Sequence, residues 1–195
     1  MKWMNHKHII LASQSPRRKE LLSSAGFTFE IAVADIDEDN YPPELFIQDI
    51  PAFLAKKKAE KIWNTHLYDG KIILAADSLV FYNDEVFTKP VDRKDAEQIL
   101  KSLSGKTHTV ITGICLKGSD FLDIDSVYTE VSFEDFTDEE INYYIDNYKP
   151  YDKAGAYGIQ DWIGLCKIRT IKGSYTNIMG LPMEKVYSML KDRMT

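Results

Sequence analysis

The longest uninterrupted apolar run in this chain of 195 residues is Ile72-Ile73-Leu74-Ala75-Ala76, and it ends on a carboxylate, Asp77. Within the stretch from Lys71 to Tyr82, that run reads as a buried strand. It is far short of the ~20 apolar residues a membrane span needs, so no membrane helix is expected. A carboxylate closing a buried strand needs a partner. A metal ion or an activated water would serve, and a structural Asp capping a turn is the alternative.

The elements around this strand are punctuated clearly. Ile9 to Ala12 reads as a strand, followed by Ser13-Gln14-Ser15-Pro16, a hydroxyl cap with proline at the first helical position. That helix stops at Gly26, and Phe27 to Val33 reads as a second strand. Pro51 to about His66 has helical spacing, and Asn83-Asp84 turns the central strand into Val86-Phe87. Asp92 caps a helix ending before Gly105, and Thr137-Asp138-Glu139-Glu140 is a capping box opening another. His108 to Leu116 and Ser126 to Phe133 read as strands. Trp162 to Ile171 and Ser174 to Ile178 read as a closing hairpin, and Leu181-Pro182 starts a last helix. Strands and helices intermix without strict alternation, which predicts an α/β (mixed α+β) fold: a mixed sheet with helices on its faces. One core suffices at this length, so residues 1–195 are expected to form a single domain, with a cleft between two lobes still open to it.

Composition removes several functional classes. The net charge is −6, whereas binding duplex nucleic acid demands a basic face. Two cysteines, Cys115 and Cys166, make neither a disulfide framework nor a metal-ligand pair, which points to a reducing cytoplasm. The first eight residues contain no signal-peptide apolar core. The charge is unevenly placed. Glu30 to Asp49 holds seven acids and no Lys or Arg, and Lys56, Lys57, Lys58 and Lys61 follow directly. Such blocks hold a metal–phosphate ligand or form two solvated faces.

Three further segments carry candidate chemistry. Ser13-Gln14-Ser15-Pro16-Arg17-Arg18 joins a strand end to a helix N-terminus, where free N–H groups, two hydroxyls and two guanidiniums suit an anion. The alternative is a plain cap with arginines facing water. At ~100° per residue, Lys58 falls inside the apolar arc of Leu54, Ala59, Ile62 and Trp63. It either snorkels to an edge or is held for an anion. Asp152 to Gln160 is glycine-punctuated, and five of the ten glycines fall between Gly155 and Gly180, which suits backbone reading of a ligand or simple tight turns. Lys89-Pro90 lies beyond the hairpin after Asp77.

In this order, the segments Leu11 to Leu22, Leu54 to Ala59, Ala76-Asp77-Ser78, Lys89-Pro90, Leu103-Ser104-Gly105, Asp152 to Gln160 and Met179 to Pro182 resemble the Maf (septum-formation) family of nucleoside triphosphate pyrophosphatases. The Asp-Lys-Ala-Gly-Ala-Tyr-Gly-Ile-Gln block is similar to the branch acting on dTTP and UTP. The resemblance implies a long mixed sheet with flanking helices and a deep central cleft, related to the inosine triphosphate pyrophosphatases. It implies hydrolysis of a nucleoside triphosphate to the monophosphate and pyrophosphate with a divalent cation, Mg²⁺ or Mn²⁺, and a homodimer. By motif, Asp77 takes the proton-acceptor and metal position, with Glu38 as a second acidic ligand. Lys58, Lys89, Ser13 and Arg18 fall on phosphate-handling positions. Arg17, Ser78 and Gln160 fall on positions tied to substrate choice, and Ser78 stands where this branch commonly has Thr. The competing readings are an inosine/xanthosine-type pyrophosphatase and a non-catalytic nucleotide-sensing regulator of cell division.

Overall fold

A computed structural model describes residues 9–194. The elements run β1 (Ile9–Leu11), α1 (Pro16–Ser24), β2 (Phe29–Ile31), α2 (Ile50–Trp63), β3 (Ile72–Tyr82), β4 (Glu85–Phe87) and α3 (Arg93–Leu103). They continue through β5 (Thr107–Lys117), β6 (Leu122–Phe133), α4 (Asp138–Tyr148), α5 (Trp162–Lys167), β7 (Ile168–Lys172), α6 (Tyr175–Ile178) and α7 (Met183–Met194). The strands are hydrogen-bonded in the order β2-β1-β3-β5-β6-β7, with β4 paired to β3 off that path. β1 runs parallel to β2 and β3, whereas β4 is antiparallel to β3 and β7 to β6. This is the mixed sheet that the intermixed elements predict. Among the described residues no helix is long and apolar enough to cross a membrane.

By contact the chain divides into two compact units. One comprises the chain to Asp77, Thr112–Val127 and the chain from Met179; the other comprises Ser78–Ile111 and Tyr128–Ile178. In the first unit, strand alternation sorts the core into two layers. Ile9, Leu11, Ile72, Leu74, Ala76, Ile114 and Leu116 pack with Leu22 of α1 and with Val186 and Leu190 of α7. Ile10, Ala12, Ile73, Ala75 and Cys115 pack with Ala55, Ala59 and Ile62 of α2. A strand covered on both faces reads as a continuous apolar run, which is why residues 72–76 show no polar alternation. The start of α2 lies directly on β5: a Cβ at Gly113 would stand 2.2 Å from both the Pro51 carbonyl carbon and the Ala52 nitrogen.

The second unit has its own core, including Val80, Phe87, Leu100, Leu103, Phe133, Tyr144, Tyr157 and Ile163. The starts of α3 and α4 follow the sequence signals. The Asp92 carboxylate accepts from the Asp95 N–H at 2.8 Å, and Thr137 and Glu140 complete a reciprocal capping box. Asn83 and Asp84 both adopt positive φ, the backbone a tight β-turn needs between β3 and β4.

Three local expectations are corrected. Trp162 to Ile171 is not one strand: residues 162–167 form α5, and only Ile168–Lys172 pair with β6. The apolar composition suits a strand, but α5 is fixed by contact. A Cβ at Gly164 would meet the Ile159 carbonyl oxygen at 2.0 Å, so the helix backbone lies against that loop. Ser174 to Ile178 is likewise no strand, because the Ser174 hydroxyl accepts from the Asn177 N–H at 3.3 Å and opens α6. Ser15 sits at the N-cap of α1 without a side-chain cap bond; instead its own N–H donates to the Ser13 hydroxyl at 3.2 Å.

His108 is buried on β5, where its Nε2 shares a 2.8 Å hydrogen bond with the Tyr157 hydroxyl and its ring packs on Phe133. Its Nδ1 has no hydrogen-bond partner among the described residues, and burial pulls its pKa down from 6.5 to about 3. Below its ordinary pKa the unfolded chain takes up a proton that the folded chain refuses until about pH 3. Stability is therefore lost as pH falls through this window, at up to about 1.4 kcal/mol per pH unit.

Two predictions follow from the packing. Urea unfolding followed from pH 6.5 to pH 5 loses less stability in His108→Gln, which retains a partner for Tyr157, than in the unmodified protein. Equal slopes would show that the imidazole is not held neutral. Gly113→Ala lowers unfolding free energy by about 3 kcal/mol, because the new methyl must push α2 off β5. An unchanged urea midpoint would contradict that contact.

Candidate active site

Parity along β3 decides what Asp77 meets. Ile73 and Ala75 face α2, and Asp77, two residues further on, comes out toward the same helix. On α2, Lys58 lies on the core side with Leu54, Ala55, Ala59 and Ile62, and is 6% exposed. The strand end and the helix face thus bring the Lys58 ammonium onto the Asp77 carboxylate. The same ammonium is 2.6 Å from Glu38 Oε1, so two carboxylates share one cation. Lys58 does not snorkel to an edge: its ammonium is buried against the Asp77 and Glu38 carboxylates of the same chain.

The loop carrying Glu38 is tied to α2 by a second lysine. Lys57 Nζ donates to the carbonyls of Asp37 at 3.0 Å and Asn40 at 2.9 Å, on either side of Glu38. The sequence points to Lys58 by its place in the apolar arc. Lys57 falls outside that arc and is missed, because its acceptors are backbone carbonyls, which any residue type supplies.

Arg18 frames the other side. From the first turn of α1, its Nη1 donates to the Ala76 carbonyl at 2.8 Å and to the Ser13 hydroxyl at 3.3 Å. Its Nε donates to the Gly180 carbonyl at 2.7 Å. One guanidinium therefore joins the turn after β1, the end of β3 next to Asp77, and the Met179-Gly180-Leu181-Pro182 segment before α7. What the structure shows of these two residues is structural: Arg18 holds the carbonyl next to Asp77, and the Ser13 hydroxyl accepts from Arg18. Arg17 is half-buried and close enough to disfavour the charge on Arg18.

The electrostatics follow from burial. The Asp77 carboxyl is held above its ordinary pKa by desolvation, against the pull of Lys58 and Arg18. Burial lowers the pKa of Arg18, with Asp77 and Glu38 opposing that shift. A carboxylate made more basic by its surroundings, yet flanked by cations that favour its ionised form, is suited to accepting a proton.

Six of the residues singled out by sequence, Ser13, Arg17, Arg18, Glu38, Lys58 and Asp77, belong to the first unit. Ser78, Lys89 and Gln160 belong to the second. There Ser78 follows Asp77 along β3 and is half-buried, and Lys89 is exposed just past β4. Gln160 is exposed at the end of the buried stretch 155–159, and the Gly155 N–H donates to the Thr88 carbonyl at 3.3 Å, tying that loop to the residue before Lys89. Among the described residues no group of three or more His, Cys, Asp or Glu side chains is assembled for a metal. Asp77 and Glu38, two hard oxygen donors meeting at one ammonium, fit the Mg²⁺ pattern of one or two carboxylates, with phosphate oxygens and water completing the sphere.

Comparison with known proteins places the chain in a family. The Maf-like protein family matches residues 8–193. A dTTP/UTP pyrophosphatase of Phocaeicola vulgatus is 49% identical over 183 residues, 94% of either chain. One of Parabacteroides distasonis is 47% identical over 184 residues, again 94% of either chain. One of Flavobacterium johnsoniae is 46% identical over 182 residues, 93% of either chain. A solved HAM1 protein from Coxiella burnetii aligns over 65% of this chain and 73% of its own, at 19% identity and a TM-score of 0.40. With a match running nearly end to end and relatives close to half identical over the same length, the chain belongs to the Maf-like protein family.

Proposed function

We propose that this protein is a nucleoside triphosphate pyrophosphatase that hydrolyses dTTP and UTP to the nucleoside monophosphate and pyrophosphate. The observation that carries the reading is the buried Asp77 carboxylate between Lys58 and Arg18, in a chain close to half identical to proteins named dTTP/UTP pyrophosphatases. In this reading, water adds to phosphorus as its proton passes to an Asp77 carboxylate oxygen. The anhydride bond between the first and second phosphoryl groups breaks, and pyrophosphate departs. Lys58, Lys89, Arg17 and Ser13 handle phosphoryl oxygens and offset their charge, which must be compensated before a nucleophile can approach. Arg18, with Nε and Nη1 committed to protein carbonyls, holds the end of β3 in place and adds positive potential. Asp77 and Glu38 would hold a divalent cation, Mg²⁺ or Mn²⁺, which when bound lowers the pKa of water and neutralises phosphate charge.

Arg17, Ser78 and Gln160 select the base. Ser78 keeps the hydroxyl of the Thr more usual in this branch and lacks one methyl, so base preference loosens while the chemistry is unchanged. The reading also makes the cytoplasm the working compartment and a homodimer the assembly, with no role for duplex nucleic acid.

The test is a panel of triphosphates with Mg²⁺ or Mn²⁺, with pyrophosphate as the readout. dTTP and UTP are the expected substrates; preference for ITP or XTP, or release of single orthophosphates, contradicts the proposal. Absence of turnover with retained binding would support the nucleotide-sensing reading instead. Asp77→Asn is expected to lower kcat by at least about 100-fold while nucleotide still binds, as loss of a general base does. Near-normal turnover by that variant would remove Asp77 from its role.

A further inference from the structure

The loop that ends in Gln160 is held by one phenol. Tyr144, wholly buried on α4, accepts a hydrogen bond from the Gly158 N–H at 3.0 Å and donates one to Asp161 Oδ2 at 2.7 Å. Its hydroxyl therefore bridges the two residues that flank Ile159 and Gln160. The contact is tight on every side. A Cβ at Gly158 would stand 2.5 Å from Asp161 Oδ2 and 3.0 Å from Lys153 Cε, so only glycine lets the Asp161 carboxylate and the Lys153 stem lie over that backbone. Lys153 Nζ is 2.7 Å from Asp152 and 3.8 Å from Asp161 Oδ2, supplying the charge that faces the carboxylate. One residue earlier, Tyr157 is anchored by His108. Burial and the neighbouring Asp161 raise the Tyr144 pKa, so its hydroxyl remains a donor at neutral pH. Residues 155–159 are buried, whereas Gln160 is exposed. A bridged, buried loop that presents one exposed amide at its tip is a rigid mount for that amide.

We propose that Tyr144 is a positioning residue for substrate selection: by bridging Gly158 and Asp161 it fixes the Gln160 amide in the orientation that reads the nucleobase. This rests on the assignment of Gln160 to base selection. Tyr144 is outside the motif block of the loop itself and does not act on the reacting phosphoryl groups. Its loss weakens recognition and leaves the chemical step intact, which raises KM with little change in kcat.

The experiment uses Tyr144→Phe, which keeps the ring and removes both hydrogen bonds. Two readouts are taken on the full-length protein: exchange of the Gly158 amide by NMR, and steady-state kinetics with UTP and GTP. Expected are Gly158 exchange at least about tenfold faster, a KM for UTP about tenfold higher with kcat within about twofold, and a lower UTP-to-GTP ratio of kcat/KM. Asp161→Asn retains an acceptor for the phenol and stays near the unmodified protein, whereas Asp161→Ala follows Tyr144→Phe. Unchanged exchange and unchanged selectivity in folded Tyr144→Phe overturn the proposal, as does a fall in kcat alone. Should Tyr144→Phe fail to fold, identical selectivity in Asp161→Ala and Asp161→Asn overturns it. Failure of the unmodified protein to cleave either pyrimidine triphosphate defeats the functional reading on its own. Exchange at Gly158 then still decides whether Tyr144 holds the loop.

Discussion

The buried contact between Lys58 and Asp77 sets the conditions for everything around it. Removing either ion from water costs on the order of several kcal/mol, and the attraction between them offsets this only with good geometry and further hydrogen bonds. Stability alone is thus a weak reason to keep such a pair. In the proposed reaction its placement makes sense as preorganisation: a base whose desolvation has already been met by folding, with its counter-charge aligned before any ligand arrives. Glu38 and Arg18 extend the pair: Glu38 meets the same ammonium, and the Arg18 guanidinium favours the ionised form of Asp77.

That pair exists because two periodicities coincide. Alternation along β3 sends residues 73, 75 and 77 toward α2, and the 3.6-residue helix turn puts Lys58 among Leu54, Ala55, Ala59 and Ile62 on the facing side. Gly113 then lets the start of α2 lie on the β5 backbone without an intervening side chain. Had either register slipped by one residue, Asp77 would leave the α2 side or Lys58 would turn to solvent. The site is a consequence of how the sheet and helix pack and needs no separate scaffold.

Much of this was legible in the sequence because the signals were side chains. The run before Asp77, the lysine within an apolar arc, Asp92 and the Thr137–Glu140 box each name a residue type with few physical uses. The parts that were missed depend on backbone atoms or on contact. Arg18 clasps the carbonyls of Ala76 and Gly180, and Lys57 clasps those of Asp37 and Asn40, acceptors that every residue offers. The α5 segment has strand-like composition yet is helical because Gly164 allows it against Ile159, and Ser174 opens α6 through one local hydrogen bond. Short segments of this kind take their conformation from tertiary packing, which no local window contains.

The loop from Asp152 to Asp161 shows why composition misleads about rigidity. Two glycines and a positive-φ alanine within four residues suggest a mobile segment, since glycine has the most conformational freedom to lose. Here Gly158 admits a carboxylate and a lysine stem against bare backbone, and Gly155 admits the Val80 side chain, which a Cβ there would meet at 3.0 Å. Each glycine removes a Cβ that would otherwise hold two groups apart, and so permits the contact that immobilises it. The entropy given up is offset by burial of residues 155–159 and by the hydrogen bonds of Tyr144 and His108. Glycine in such a loop marks close approach, and where close approach comes from several sides the loop behaves as part of the core.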